Sequence, residues 1–181
     1  MKVEVIVPSL TGYDKQFNRL LSSLWWTAKH QANNIKVNHI CQAVSFAGNV
    51  NDGIKNLQSD PDVILVCNND CIVLPGWYEY LKNNLTDFNV LGLGGTLRSG
   101  HCWAAKKSVW DNVGLLDENL FNSHEDDDWF LRAEKKGYVV TPTPKSYVVH
   151  EGSHTLKQFD NSTTFKINQE YMRGKWPKES F

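Results

Sequence analysis

The chain opens on a β-branched alternation, Val3 to Val7, that stops at Pro8-Ser9 and predicts a strand ending in a turn. From Asp14 to Lys29 the apolar positions Phe17, Leu20, Leu21, Leu24 and Ala28 share one stripe of a 3.6-residue period, which predicts an amphipathic helix. Ile35 to Val44 predicts a second strand and Asn49 to Leu57 a short helix. Val63 to Cys67 is a continuous apolar run, the pattern of a strand buried on both faces of a parallel sheet. Pro75 fits the first position of a helix that runs to about Leu85. Beyond that the pattern is less regular. It predicts a strand at Gly100 to Ala105, a loop through Phe121, a helix from about Glu125 to Lys136 and a strand near Tyr147 to His150. The last stretch is polar with spaced aromatics, Phe159, Phe165, Tyr171 and Trp176, and reads as a helix or loop packed over the rest.

Alternating strands and helices imply an α/β fold, a Rossmann-like, mostly parallel central sheet flanked by helices and wound with right-handed crossovers. Such sheets bind ligands at the carboxyl ends of their strands. Pro8 to Thr11, Gln42 to Asn51 and Asn68 to Cys71 fall at those ends. The glycines at 92, 94 and 95 lack the G-x-G-x-x-G spacing and the helix that should follow it, so they read as strand and bulge glycines. A length of 181 residues suits one compact domain.

A net charge of -1 with no Lys/Arg cluster argues against a nucleic-acid partner, whose binding draws on released counterions. Glu4 interrupts what would be the apolar part of a signal peptide, and no apolar run approaches a bilayer's thickness. The expectation is a cytoplasmic chain without a transmembrane segment. Cys41, Cys67, Cys71 and Cys102 lack paired metal-ligand spacing and read as buried thiols. Seven Trp leave two readings open, apolar faces for a sugar ring or ordinary packing.

Three segments carry chemistry, each with a plain structural alternative. Asn68-Asn69-Asp70 ends a buried strand and offers the hard oxygens a divalent ion takes beside a diphosphate; a turn-capping Asx run explains it as well. Glu125-Asp126-Asp127-Asp128 could bind a cation or supply a base. The same run suits a helix start, with Ser123 and Asp126 as a capping-box-like pair and Lys135, Lys136 and Gly137 at the other end. His150 closes a strand, either as a structural side chain or to complete the coordination begun by a distant Asp. Nucleophile-elbow, P-loop and zinc-pair spacings are absent from the sequence, so acyl transfer and P-loop phosphoryl transfer lose support.

In this order the segments resemble family 2 glycosyltransferases of the GT-A fold, in particular a rhamnosyltransferase-like branch. Val5 to Thr11 resembles the opening strand and nucleotide loop, and Phe46-Ala-Gly-Asn-Val-Asn-Asp-Gly-Ile54 the F-A-G-x-x-N-x-G-I segment. Cys67 to Asp70 with Pro75-Gly-Trp77 resembles the metal-binding D-x-D equivalent. Gly100 to Trp103 with Val113 to Glu118 is similar to the acceptor-side strand and G-x-x-D-E turn, Phe121 to Tyr138 to the E-D-x-D-x-x-x-R helix, Val148-Val-His150 to the late histidine and Lys175-Trp176 to the closing K-W.

The resemblance implies an inverting transfer of sugar from a nucleotide-diphosphate sugar to a carbohydrate or other hydroxyl acceptor. Asp70 and His150 would hold Mn2+ or Mg2+, and Asp126 would be the general base. Pro8, Ser9, Thr11, Gln42, Phe46, Asn49, Asn51, Asn68 and Asn69 would contact the nucleotide. Gly100, His101, Cys102, Trp103 and Glu125 would line the acceptor and donor-sugar pocket. Residues 1–90 would then form a nucleotide-sugar half, 91–155 an acceptor and catalytic half, and 156–181 a packing segment. Two departures stand out: Cys41 to Phe46 carries no acid, and the chain is shorter than typical members. The shortness suggests a homo-oligomer or partner protein that completes the acceptor site. A non-catalytic sugar- or nucleotide-binding module stays open as an alternative, as does a metal-dependent phosphohydrolase or nucleotidyltransferase.

Overall fold

A computed structural model of the chain describes residues 1–9, 14–42, 45–96, 98, 100–152 and 161–179. The first half follows the expected order: β1 Val3–Pro8, α1 Asp14–Thr27, a 3-10 turn Lys29–Asn34, β2 Ile35–Ile40, α2 Phe46–Lys55 and β3 Val63–Cys67. Then come β4 Cys71–Val73, α3 Trp77–Asn84, β5 Asn89–Gly92, β6 Cys102–Lys106, α4 Lys107–Val113, α5 Glu125–Lys135, β7 Val139–Pro142, β8 Val148–His150 and α6 Asn161–Lys175.

Six strands form the central sheet in the order β2-β1-β3-β6-β5-β7, and β4 pairs with β8 in a separate ribbon. In the large sheet only β6 runs against its neighbours. The apolar run of β3 is buried throughout, as its pattern predicts. Val63, Leu65 and Cys67 pack into a core with α1 and α3, while Ile64 and Val66 pack into one with α2, α4 and α5. Glu4 is fully buried in β1 because its carboxylate accepts from the backbone N–H of Gln58 (2.8 Å), Ser59 Oγ (2.6 Å) and Asn38 Nδ2 (3.2 Å), so the charge is solvated by protein.

The structure corrects several sequence readings. Pro75 lies before the helix, since Gly76 caps α3 in a left-handed conformation (φ 92°) and Tyr80 N–H donates to its carbonyl. Ser45 caps α2 by accepting from Gly48 N–H, which starts that helix at Phe46 rather than Asn49. Where the pattern predicts a loop through Phe121, α4 forms about two turns directly after β6. The 94–95 glycines lie in the turn after β5, not in a bulge. Cys41 is exposed, unlike the other three thiols. The second strand is described to Ile40, and residues 43 and 44 lie outside the described set.

Candidate functional site

A cavity of about 390 Å3 opens at the carboxyl ends of β1 and β3. Its walls bring together Pro8, Ser9, Phe46, Asn49, Asn68, Asn69, Asp70, Gly100, His101, Glu125, Asp126 and His150, all singled out by sequence, with Asn122, Ser123 and Phe165 in addition.

One wall is built from the β3–β4 turn and β8. Asn68 N–H donates to the His101 carbonyl (2.8 Å), Cys71 N–H to the Asn68 carbonyl (3.1 Å) and Glu151 N–H to the Asp70 carbonyl (3.0 Å), so the turn is stitched to both neighbouring segments. Antiparallel pairing sets Cys71 directly opposite His150. Asp70 is 8% exposed, and its Oδ1 lies 3.0 Å from His150 Nε2 at an angle that makes no hydrogen bond. Among the described residues, Asp70 Oδ1, Asn68 Oδ1 and Asn69 Nδ2 are buried without a hydrogen-bond partner. Asp70, Cys71 and His150 offer ligand atoms that all lie within 4.8 Å of one another. A buried carboxylate oxygen left unpaired beside an imidazole is a donor set that suits a divalent cation. The ring of His101 stacks on His150 (4.6 Å between centroids, 3° between planes). Burial, then the neighbouring His150, lowers His101 to a pKa of about 4 against an opposing pull from Asp70.

The opposite wall is the start of α5. Asn122 and His124 both take positive φ (54° and 66°), and this double left-handed turn aims Glu125 and Asp126 at the cavity. The expected capping pair is not formed. His124 is the N-cap, without a side-chain cap bond, and Ser123 Oγ instead accepts from Asn168 Nδ2 (2.7 Å). Glu125 is buried with Oε2 unpaired among the described residues. Burial, then the charge of the adjacent acid, raises the pKa of both Glu125 and Asp126 above the usual carboxylate range. Asp126 lies against Gly100 so closely that a Cβ there would come within 1.4 Å of its Oδ2.

Other expected residues are elsewhere. Asn51 is buried behind the site, exchanging hydrogen bonds with the backbone of Leu116 (2.9 and 3.0 Å) and donating to Glu118 (2.7 Å), so it holds the G-x-x-D-E turn. Cys102 and Trp103 are core residues of β6 because both faces of that strand are covered; Gly100 and His101, just before it, reach the cavity. Gln42 is exposed and outside the lining, its N–H bonded to Asn49 Oδ1 (3.1 Å). Asn49 reaches the cavity but also donates to the Ser9 carbonyl (3.2 Å), tying the ends of β1 and β2 together. Thr11 lies outside the described residues, as do Ser153, His154 and Phe159. None of the seven Trp lines the cavity among the described residues, and Trp77, Trp103, Trp110 and Trp129 are core, which favours packing. The Asn122 contribution had a weak signal in the Asn-Ser turn residues before the acids; Phe165 had only its place among spaced aromatics.

No family model and no curated protein sequence matches the chain. Solved structures do. The catalytic domain of Drosophila β1,4-galactosyltransferase 7 in complex with xylobiose superposes with a TM-score of 0.74 at 14% identity, covering 93% of this chain and 79% of that one. A structure of Staphylococcus aureus TarS matches at 0.58 and 14%, covering 99% of this chain and 73% of that one. The mannosyltransferase PcManGT from Pyrobaculum calidifontis, in complex with GDP-Man and Mn2+, matches at 0.59 and 11%, covering 86% and 59%. At these identities the likeness shows the fold: this chain has the GT-A architecture of those glycosyltransferases. No helix among the described residues is long and apolar enough to cross a membrane.

Proposed function

We propose that the chain is an inverting glycosyltransferase that moves a sugar from a nucleotide-diphosphate sugar to an acceptor hydroxyl. The carrying observation is that Asp70 and His150 on one wall, and Glu125 and Asp126 on the other, face one cavity at the carboxyl ends of a GT-A sheet. The solved galactosyltransferase complex with manganese, UDP-Gal and xylobiose supports the same reading by analogy of fold. The resemblance to the rhamnosyltransferase-like branch extends it to a hexosyl or deoxyhexosyl donor. The whole described chain would act as one domain, with residues 1–90 on the nucleotide side, 91–155 on the acceptor side and 156–181 packed over them.

In this reading Asp126 accepts the proton of the acceptor hydroxyl as that oxygen attacks the anomeric carbon from the face opposite the nucleotide. Its raised pKa brings a base of useful strength toward neutral pH. Gly100 keeps the carboxylate seated on the cavity wall. Glu125, buried beside it, offers an unpaired oxygen to a sugar hydroxyl. Ser9, Phe46 and Asn68, which line the cavity, would contact the nucleotide. Asp70 and His150 would hold Mn2+ or Mg2+; a bound divalent ion would neutralise charge that develops on the leaving diphosphate.

Nucleoside diphosphate release from a panel of nucleotide sugars, with Mn2+ and mixed acceptors, tests the proposal. We expect turnover with at least one donor and a loss of about 10²- to 10⁴-fold in Asp126→Asn, with donor binding retained. Donor binding without turnover on any acceptor would instead make the chain a binding module. Absence of both, with Asp126→Asn indistinguishable from wild type, would refute the assignment.

A further inference from the structure

We propose that Cys71 is a third ligand to the ion held by Asp70 and His150, and that the site therefore selects Zn2+ or Co2+ over Mg2+. The inference rests on the metal reading of Asp70 and His150 above and adds a residue and a preference to it.

The geometry follows from strand register. Residues directly opposite in an antiparallel pair point to the same face with neighbouring β-carbons. Cys71 and His150 are such a pair, so their side chains emerge side by side. Asp70 precedes Cys71 at the mouth of the same ribbon, and its backbone carbonyl accepts from Glu151, the residue after His150. One carboxylate oxygen, one thiol and one imidazole nitrogen consequently meet with every ligand atom within 4.8 Å of the others. Two independent features point to a ligand here: Asp70 is more than nine-tenths buried, and its Oδ1 has no hydrogen bond among the described residues. The Cys71 thiol donates weakly to the His101 carbonyl at 3.5 Å and also meets the Cys67 thiol, neither of them a strong partner that a metal–sulfur bond could not replace.

Sulfur is what separates the candidate ions. Mg2+ takes hard oxygen ligands in near-octahedral geometry and gains little from a thiolate. Zn2+ and Co2+ accept mixed sulfur, nitrogen and oxygen sets and tolerate four-coordination. On binding, the S–H bond of Cys71 breaks, a metal–sulfur bond forms and the proton passes to solvent.

The test is titration of the whole chain with Co2+, without nucleotide and with a phosphine reductant, followed by visible and near-ultraviolet absorption. We expect a thiolate-to-cobalt charge-transfer band together with visible d–d bands. Cys71→Ser should abolish the charge-transfer band and weaken Zn2+ binding by more than about tenfold, leaving weak Mg2+ binding unchanged. Cys67→Ser, a buried thiol on the preceding strand, should keep the band. Visible d–d bands without a sulfur band in the wild-type protein, or a band lost in Cys67→Ser and kept in Cys71→Ser, would overturn the role of Cys71 while leaving Asp70 and His150 as ligands. No bound cobalt at all would overturn both readings.

Discussion

Asp126 owes its direction to what is missing opposite it. Gly100 is outside the left-handed region, so its backbone would accept alanine; the conflict is one of space alone, because the new methyl would occupy the volume of the Asp126 carboxylate. Gly100→Ala should therefore fold with a nearly unchanged Tm and lose transfer activity by about 10²-fold, since misplacing a reacting group by an ångström costs that order. Melting curves alongside nucleoside diphosphate release check both halves. Two residues on, Asp128 has the same side chain and a different fate. It is fully buried and accepts from Arg132 Nε (2.8 Å), Lys175 Nζ (2.8 Å) and Trp176 Nε1 (2.9 Å). In the sequence these are neighbouring acids of one run, and nothing local says that one faces the cavity and the other the core; the helical turn of about 200° between them decides it.

At the scale of elements, that same carboxylate joins α5 to α6. Lys175 also reaches Asp117 (2.5 Å), which Tyr171 contacts too (2.9 Å), so α6 is tied to the loop before α5 as well. Thus the E-D-x-D-x-x-x-R and K-W motifs are two ends of one polar joint. Asp128→Asn leaves two cations without their shared counter-charge in a buried place. We expect a loss of about 3 kcal/mol, a fall in Tm on the order of 10 °C, measured by thermal unfolding. The start and the end of α5 are legible in the sequence. Gly137 takes a positive φ (90°) and Tyr138 N–H bonds back to the Ala133 carbonyl, the arrangement expected of a glycine after a helix. β4 is not legible in the sequence, because its three residues are too few to show a period and its partner, β8, lies far along the chain.

For the molecule as a whole, the buried charges oppose one another in pH. Burial raises Glu125, so the fold favours its protonated form and the contribution turns unfavourable as pH rises above the ordinary glutamate value of about 4.3. Burial also works to raise Asp117, but the Lys175 ammonium, the Asn119 N–H and the Tyr171 hydroxyl outweigh it and hold this carboxyl well below the usual range. Its stabilisation is complete above about pH 4, declines gradually below that and is lost only as pH falls through the depressed value of the folded state. Thermal melts from pH 3 to 8 should show Glu125→Gln gaining Tm over wild type as pH rises, and Asp117→Asn losing most at neutral pH and less, but still clearly, at pH 3, where the folded carboxyl is still ionised. The reverse trends would refute these assignments. The sequence by itself determined the order of strands and helices as far as β3, the burial of β3 on both faces and the short list of acids, amides and histidine worth testing, because periodicity and turn chemistry act over a few residues. Only the tertiary structure decided that Asn51, Cys102 and Trp103 serve the framework, that Asn122 and Phe165 reach the cavity and that Cys71 stands beside His150. Those outcomes depend on strand register and on which helix covers which face, and both are settled by contacts between segments far apart in the chain.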